Sequence, residues 1–102
     1  MRKLLLAVAL LLAAPPLFAT QYLLENGGNS IRLYESPCVH AGTLAMIPPP
    51  LRGDFKKADV YLNGQRIYAC WRHDEDGDFQ VLLEDGRGAG FYRKSFREVP
   101  GV

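Results

Sequence analysis

The stretch KADVYLNGQRIYACW, residues 57–71, decides how this chain folds. Asn63-Gly64 lies between two runs rich in β-branched and aromatic residues, and a two-residue hairpin loop needs positive φ at both central positions, which Asn-Gly supplies at least cost. Such a loop also fixes the register. Leu62 faces Gln65, Tyr61 faces Arg66, Val60 faces Ile67, Asp59 faces Tyr68 and Ala58 faces Ala69. Because strand side chains alternate between faces, Val60, Leu62, Ile67, Ala69 and Trp71 share one side, while Tyr61, Arg66, Tyr68 and Cys70 share the other. Both sides carry bulky groups, so both need cover: one from the curl of the sheet, the other from the segment around Cys38.

Further strands extend outward from this hairpin. YLLE (22–25) and SIRLYE (30–35) flank a Gly27-Gly28-Asn29 turn, with Ile31, Leu33 and Glu35 on one face, and Ser36-Pro37 is expected to break the second strand because proline cannot donate to a ladder. FQVLLE (79–84) alternates Phe79, Val81 and Leu83 against Gln80 and Leu82. EDGRGAG (84–90) reads as a glycine-rich turn, and FYRKSFREV (91–99) as a last strand or a strand plus a helical turn, with Arg93 to Arg97 a solvated strand end. Between Cys38 and Gly53 the pattern is irregular: TLAMI (43–47) suits one helical turn or a short strand, Pro48-Pro49-Pro50 suits an extended polyproline connection, and Asp54 suits the N-cap of a short helical turn. The sum is a mainly β fold, a small antiparallel meander of five to six short strands forming a curled sheet or open barrel.

The first residues belong to a different kind of segment. Arg2 and Lys3 precede an eleven-residue apolar run, Leu4 to Ala14, followed by Pro15-Pro16 and Ala19. That is the pattern of a secretory signal peptide over 1–19, cleaved after Ala19 so that Thr20 begins the mature chain. The apolar run is shorter than the roughly 20 residues a spanning helix needs, so no membrane span is expected after cleavage. With no cysteine directly after the run, lipid attachment is not expected either. Residues 20–102 then form a single small β domain, expected in the periplasm or secreted.

A domain of this size draws only about 3–5 kcal/mol from its core and commonly needs a staple. Cys38 and Cys70 are the only cysteines, and an even count in a short exported chain reads as a disulfide. Closing so long a loop stabilises a fold by roughly 3.5–4 kcal/mol in the chain-entropy model. Charge says less. The 12 basic and 11 acidic residues are interspersed and lose Arg2 and Lys3 with the leader, whereas a binder of nucleic-acid backbones needs clustered lysine and arginine; no nucleic-acid partner is expected.

Residues 72–78, RHDEDGD, raise the question of metal. With Gly77 at position 6 of an EF-hand loop, Asp74 and Asp76 fall at ligand positions 3 and 5, but Arg72 falls at position 1 and Leu83 at position 12, where carboxylates are required. Asp74, Asp76 and Asp78 remain weak calcium candidates beside the plainer reading, a hairpin turn bent at Asp76-Gly77. Cys38, His40, Cys70 and His73 have the inventory of a zinc site but not its usual ligand spacing. No cofactor is expected. No serine lies in a Gly-x-Ser-x-Gly elbow, Ser30, Ser36 and Ser95 have no local base, and so small a meander seldom builds a cleft for paired carboxylates; no catalytic residue is assigned.

Aromatic surplus remains. Five tyrosines, Trp71 and four phenylalanines in the mature chain exceed what a small core readily hides, and tyrosine, tryptophan and arginine are the residues that carry interfaces. Tyr61 opposite Arg66, with Tyr68 nearby, forms a candidate interaction surface, unless these rings merely cover the second face of the sheet.

RLYESPC (32–38), NGQRIYACW (63–71) and VLLEDGRGAGF (81–91) together resemble a family of small exported proteins of proteobacteria and their prophages, in which a Pro-Cys segment precedes a strand ending in Cys-Trp and an acidic Asp-Gly turn. The likeness spans most of residues 31–98. It implies a disulfide-linked periplasmic β domain and implies no activity. The family's acidic turn corresponds to Glu84-Asp85-Gly86, which leaves Asp74 to Asp78 as a local elaboration. The expected function is a non-enzymatic binding or inhibitory module whose partner is a cell-envelope or phage protein, such as an envelope hydrolase. A small calcium- or zinc-binding protein is the alternative, and a small envelope hydrolase the third.

Overall fold

The computed structural model describes residues 20–100; the segment read as a signal peptide lies outside them. Seven antiparallel strands form one curled sheet: β1 (Thr20–Asn26), β2 (Asn29–Pro37), β3 (Lys56–Leu62), β4 (Gln65–His73), β5 (Phe79–Leu83), β6 (Gly88–Phe91) and β7 (Arg97–Pro100), in the spatial order β6-β5-β4-β3-β2-β1-β7. Six strands follow the expected meander. The seventh returns to the far edge, pairing Thr20 with Pro100 and Leu23 with Arg97.

That return forces the curl. Laid flat, seven strands at about 4.8 Å spacing put their edges about 29 Å apart, whereas the six steps from Phe91 to Arg97 reach at most about 21 Å. The sheet therefore bends into a half-barrel whose two edges are joined across an open seam by Tyr92, a 3-10 turn at Arg93–Ser95, and Phe96. Its concave face holds the core: Tyr22, Leu33, Ala58, Val60, Ala69, Trp71, Phe79, Val81 and Phe96. Phe79 is the hub, with ring centroids of Tyr22 at 4.9 Å and of Trp71 and Phe96 at 5.1 Å. Phe96 also packs edge-on against Phe91 at 6.0 Å and so plugs the seam from within.

The central hairpin has the register its Asn-Gly loop dictates, from Leu62↔Gln65 to Ala58↔Ala69, and continues to Lys56↔Trp71. Asn63 and Gly64 both take positive φ, 53° and 80°. The first hairpin turns on Gly27-Gly28 alone, because Asn29 already pairs with Asn26.

Several local expectations are corrected. The strand count is seven rather than five or six, because Gly88–Phe91, which reads as turn and strand start, pairs with β5 throughout, and because Arg97–Pro100 is a strand separate from Phe91. Ser36-Pro37 does not break β2. The strand bulges between Leu33 and Pro37, four steps facing the two from Ala58 to Lys56, and Pro37 still pairs as its last residue; a bulge absorbs the missing donor. The helical turn expected at 43–47 is a short helix, α1, at Ala41–Leu44. Pro49 and Pro50 open a 3-10 turn over Pro49–Asp54 instead of an extended connection, since proline's fixed φ suits a first helical turn. Asp54 ends that turn rather than capping a new one.

Residues 38–55 fold over the convex face of β4. Cys38, Ile47, Phe55 and Cys70 form a second, smaller core, with Leu44 and Leu82 packed against it. The Cys38–Cys70 disulfide, Cα to Cα 5.6 Å, fastens this flap to the sheet, and the Cys38 N–H closes its base on the Phe55 carbonyl at 3.1 Å. Among the described residues no helix is long and apolar enough to cross a membrane.

Candidate interaction surface

Alternation along the β3–β4 hairpin places Lys57, Asp59 and Tyr61 on the convex face, opposite Cys70, Tyr68 and Arg66 in register. The flap covers the Cys70 end and reaches Tyr68 through His40. Tyr61 and Tyr68 remain 39% and 41% exposed.

The exposed groups are held in place. The Arg66 guanidinium lies over the Tyr68 ring, 4.6 Å from its centroid, and donates to Asp59 Oδ1 at 2.9 Å. His40, from the flap, stacks on Tyr68 nearly parallel, centroids 4.7 Å apart. The imidazole is itself fixed: Nδ1 accepts from the Thr43 N–H at 3.2 Å as the N-cap of α1 and lies 2.9 Å from the Thr43 hydroxyl, which leaves the ring proton on Nε2, 3.8 Å from Glu84 Oε2. Glu84 Oε1 in turn accepts from the Tyr68 N–H at 3.2 Å. The result is a ladder of cation, phenol and imidazole on rigid backbone.

Asp59 is the buried member, 8% exposed. Its second oxygen accepts the Tyr34 hydroxyl at 3.1 Å. Burial first, and the adjacent Asp59 carboxylate second, push the Tyr34 phenol above its ordinary range. The hydrogen bond to Asp59 holds the Arg66 guanidinium still more firmly protonated than usual. Lys57 Nζ lies over the Tyr34 ring, 4.6 Å from its centroid. An open groove of about 520 Å³ runs between flap and hairpin, lined by Cys38, Val39, His40, Lys57, Asp59, Arg66 and Tyr68.

Of the residues singled out in the sequence, Tyr61, Arg66 and Tyr68 are thus brought together on one face, and Cys38 and Cys70 are joined beside it. Lys57 and Asp59 belong to the same face by the same alternation and were legible from the hairpin pattern. Tyr34 shares a face with Arg32 by alternation, and Arg32 pairs with Asp59, so its side was legible as well; the position of His40 was not, because the flap delivers it.

The acidic run 74–78 lies apart, in the loop between β4 and β5, and its carboxylates shape the turn. Asp74 Oδ1 accepts the N–H groups of Asp76 and Asp78 at 2.8 and 2.9 Å, Gly77 takes φ 85°, and Asp78 Oδ1 accepts the Arg93 N–H at 2.9 Å. Among the described residues no three histidine, cysteine, aspartate or glutamate side chains are placed to hold a metal ion. The zinc reading also loses its thiolates, since both sulfurs are in the disulfide.

Comparison with protein families, with characterised proteins and with solved structures finds no match.

Proposed function

We propose that this chain is an exported, non-enzymatic protein-binding or inhibitory module that contacts its partner through the convex face of the β3–β4 hairpin. The observation that carries the reading is the Arg66–Tyr68–His40 stack at the edge of the flap, with Arg66, Tyr68 and the neighbouring Tyr61 exposed. Tyrosine and arginine dominate the energetics of protein interfaces. Groups already locked by Asp59, Thr43 and Glu84 lose little conformational freedom on binding, and that preorganisation adds to affinity.

Export to the periplasm is supported by the leader pattern of residues 1–19 together with the Cys38–Cys70 disulfide, which persists only in an oxidising compartment. A cell-envelope or phage protein is the fitting kind of partner for such a location.

The test is capture of partners from periplasmic extract by the mature domain, compared with the Tyr61→Ala/Tyr68→Ala double variant after both are checked for equal folding. A protein retained by the parent and lost by the variant supports the reading; identical retention by both removes its basis. Mass spectrometry of periplasmic material tests the location, with a chain beginning at Thr20 and two hydrogens lighter than the reduced form as the expected result.

A further inference from the structure

The charges around the groove between flap and hairpin are unevenly satisfied. Asp59 is its carboxylate, and both of that group's oxygens are occupied, one by Arg66 and one by the Tyr34 hydroxyl. Arg66 spends one N–H on Asp59 and turns its face to Tyr68, so most of its five donors have no protein acceptor among the described residues. Lys57 is half-buried, yet its ammonium rests on the Tyr34 ring with no carboxylate within 4 Å among the described residues. By contrast, Lys56 next to it in β3 is paired with Glu35, and Arg97 in β7 with Glu25. Partial desolvation without a counter-ion is unfavourable for an ammonium, and an anion entering the groove would relieve it. Beside these cations the groove carries one exposed aliphatic side chain, Val39, 78% exposed.

The geometry points to a carboxylate side chain of a partner polypeptide, carried next to an apolar residue, as the group this groove receives. Lys57 Nζ and the unused guanidinium N–H groups of Arg66 are its donors, and Val39 contacts the neighbouring apolar side chain. The inference rests on the binding-module reading and specifies which chemistry the partner presents.

The experiment uses the mature, disulfide-bonded protein labelled with ¹⁵N and two blocked pentapeptides, one alternating leucine and glutamate, the other identical with glutamine for glutamate. Titration is followed by amide shifts. The glutamate peptide is expected to perturb residues 39–40, 57–59 and 66–68, with affinity falling about tenfold or more for the glutamine peptide and for Lys57→Gln, the scale of one charge-assisted hydrogen bond. Affinity is also expected to fall as salt rises from about 50 to 300 mM. Equal binding of both peptides, indifference to Lys57→Gln, shifts mapping elsewhere, or no binding at millimolar peptide each overturn the inference, as does binding of anionic lipid vesicles at the groove in place of the peptide. Failure here is separable from failure of the module reading: a partner captured equally by parent and Lys57→Gln, but lost by the tyrosine double variant, keeps the module and discards the carboxylate.

Discussion

The indole N–H of Trp71 donates to the main-chain carbonyl of Tyr34 at 2.8 Å, across the bulge of β2. The ring is fully buried, so its one polar atom needs a partner. The bulge supplies that partner by freeing a carbonyl from the β2–β3 ladder. Trp71→Phe strands this carbonyl in the core and is expected to cost about 1–3 kcal/mol, and Trp71→Ala about 3–5 kcal/mol. Urea denaturation followed by circular dichroism measures both. A Phe variant as stable as the parent would show that the hydrogen bond contributes nothing net.

Loss of the disulfide should act on two scales. The chain-entropy model gives a global cost of about 3.7 kcal/mol for the Cys38→Ala/Cys70→Ala variant. Locally, residues 38–54 are then held down by the small cluster of Ile47, Phe55, Leu44 and Leu82, the His40–Tyr68 stack and the Cys38–Phe55 backbone hydrogen bond. Hydrogen exchange should therefore accelerate in α1 and the 3-10 turn well before it does in β3 and β4; uniform acceleration would mean that the flap and sheet unfold as one unit.

The acidic turn distinguishes an amide from a carboxylate. Asp74 Oδ1 accepts two backbone N–H groups, a task an asparagine oxygen performs equally well. Asp74→Asn is expected to stay within about 0.5 kcal/mol of the parent, while Asp74→Ala loses about 1–2 kcal/mol. Calcium at millimolar concentration should leave the melting temperature unchanged. A calcium-dependent rise abolished by Asp74→Asn would restore the metal reading.

β6 contains two glycines that its backbone does not require. Neither Gly88 nor Gly90 has positive φ, and an added Cβ would meet its nearest atom at 3.8 and 4.0 Å, ordinary contact distances. Gly90→Val should stabilise the domain by about 0.5–1 kcal/mol through lower unfolded-state entropy and better strand propensity. A few degrees' rise in melting temperature is the expected reading, and a fall would reveal a constraint on this edge.

Alkaline pH should weaken the fold through Tyr34. Its phenol titrates above the ordinary range in the folded protein, so the folded state holds the proton when the unfolded state has released it. That stabilisation is complete below the unfolded value near pH 10 and disappears as pH rises through the folded one. Tyr34→Phe should flatten the stability profile above about pH 9.5; an unchanged profile would locate the alkaline sensitivity elsewhere.

How much could be read from the sequence varied with the strength of the local signal. Asn63-Gly64 fixed a loop length, and a loop length fixes register, so the central hairpin and the division of Tyr61, Arg66 and Tyr68 from Val60 and Trp71 followed residue by residue. The fold class and the Cys38–Cys70 bridge followed too. β6 was hidden because Gly-Ala-Gly carries no alternation to detect. β7 was visible only as part of a last strand over 91–99, because a strand of four residues, two of them charged, gains its place and its partner from β1 rather than from its own pattern. The bulge that aims the Tyr34 carbonyl at Trp71, and the flap that lays His40 on Tyr68, are outcomes of packing between segments about 30 residues apart, and no local pattern encodes them.

The pairing of β1 with β7 gives the molecule a temporal property. β1 precedes β7 by most of the domain, so β1 has a bare edge, and Phe79 has a vacant neighbouring position, until residues 96–100 join them. The half-barrel is thus completed only once Phe96 and β7 are in place. A product ending at Ser95 would lack both the closing strand and the aromatic plug, leaving an unprotected edge open to mispairing.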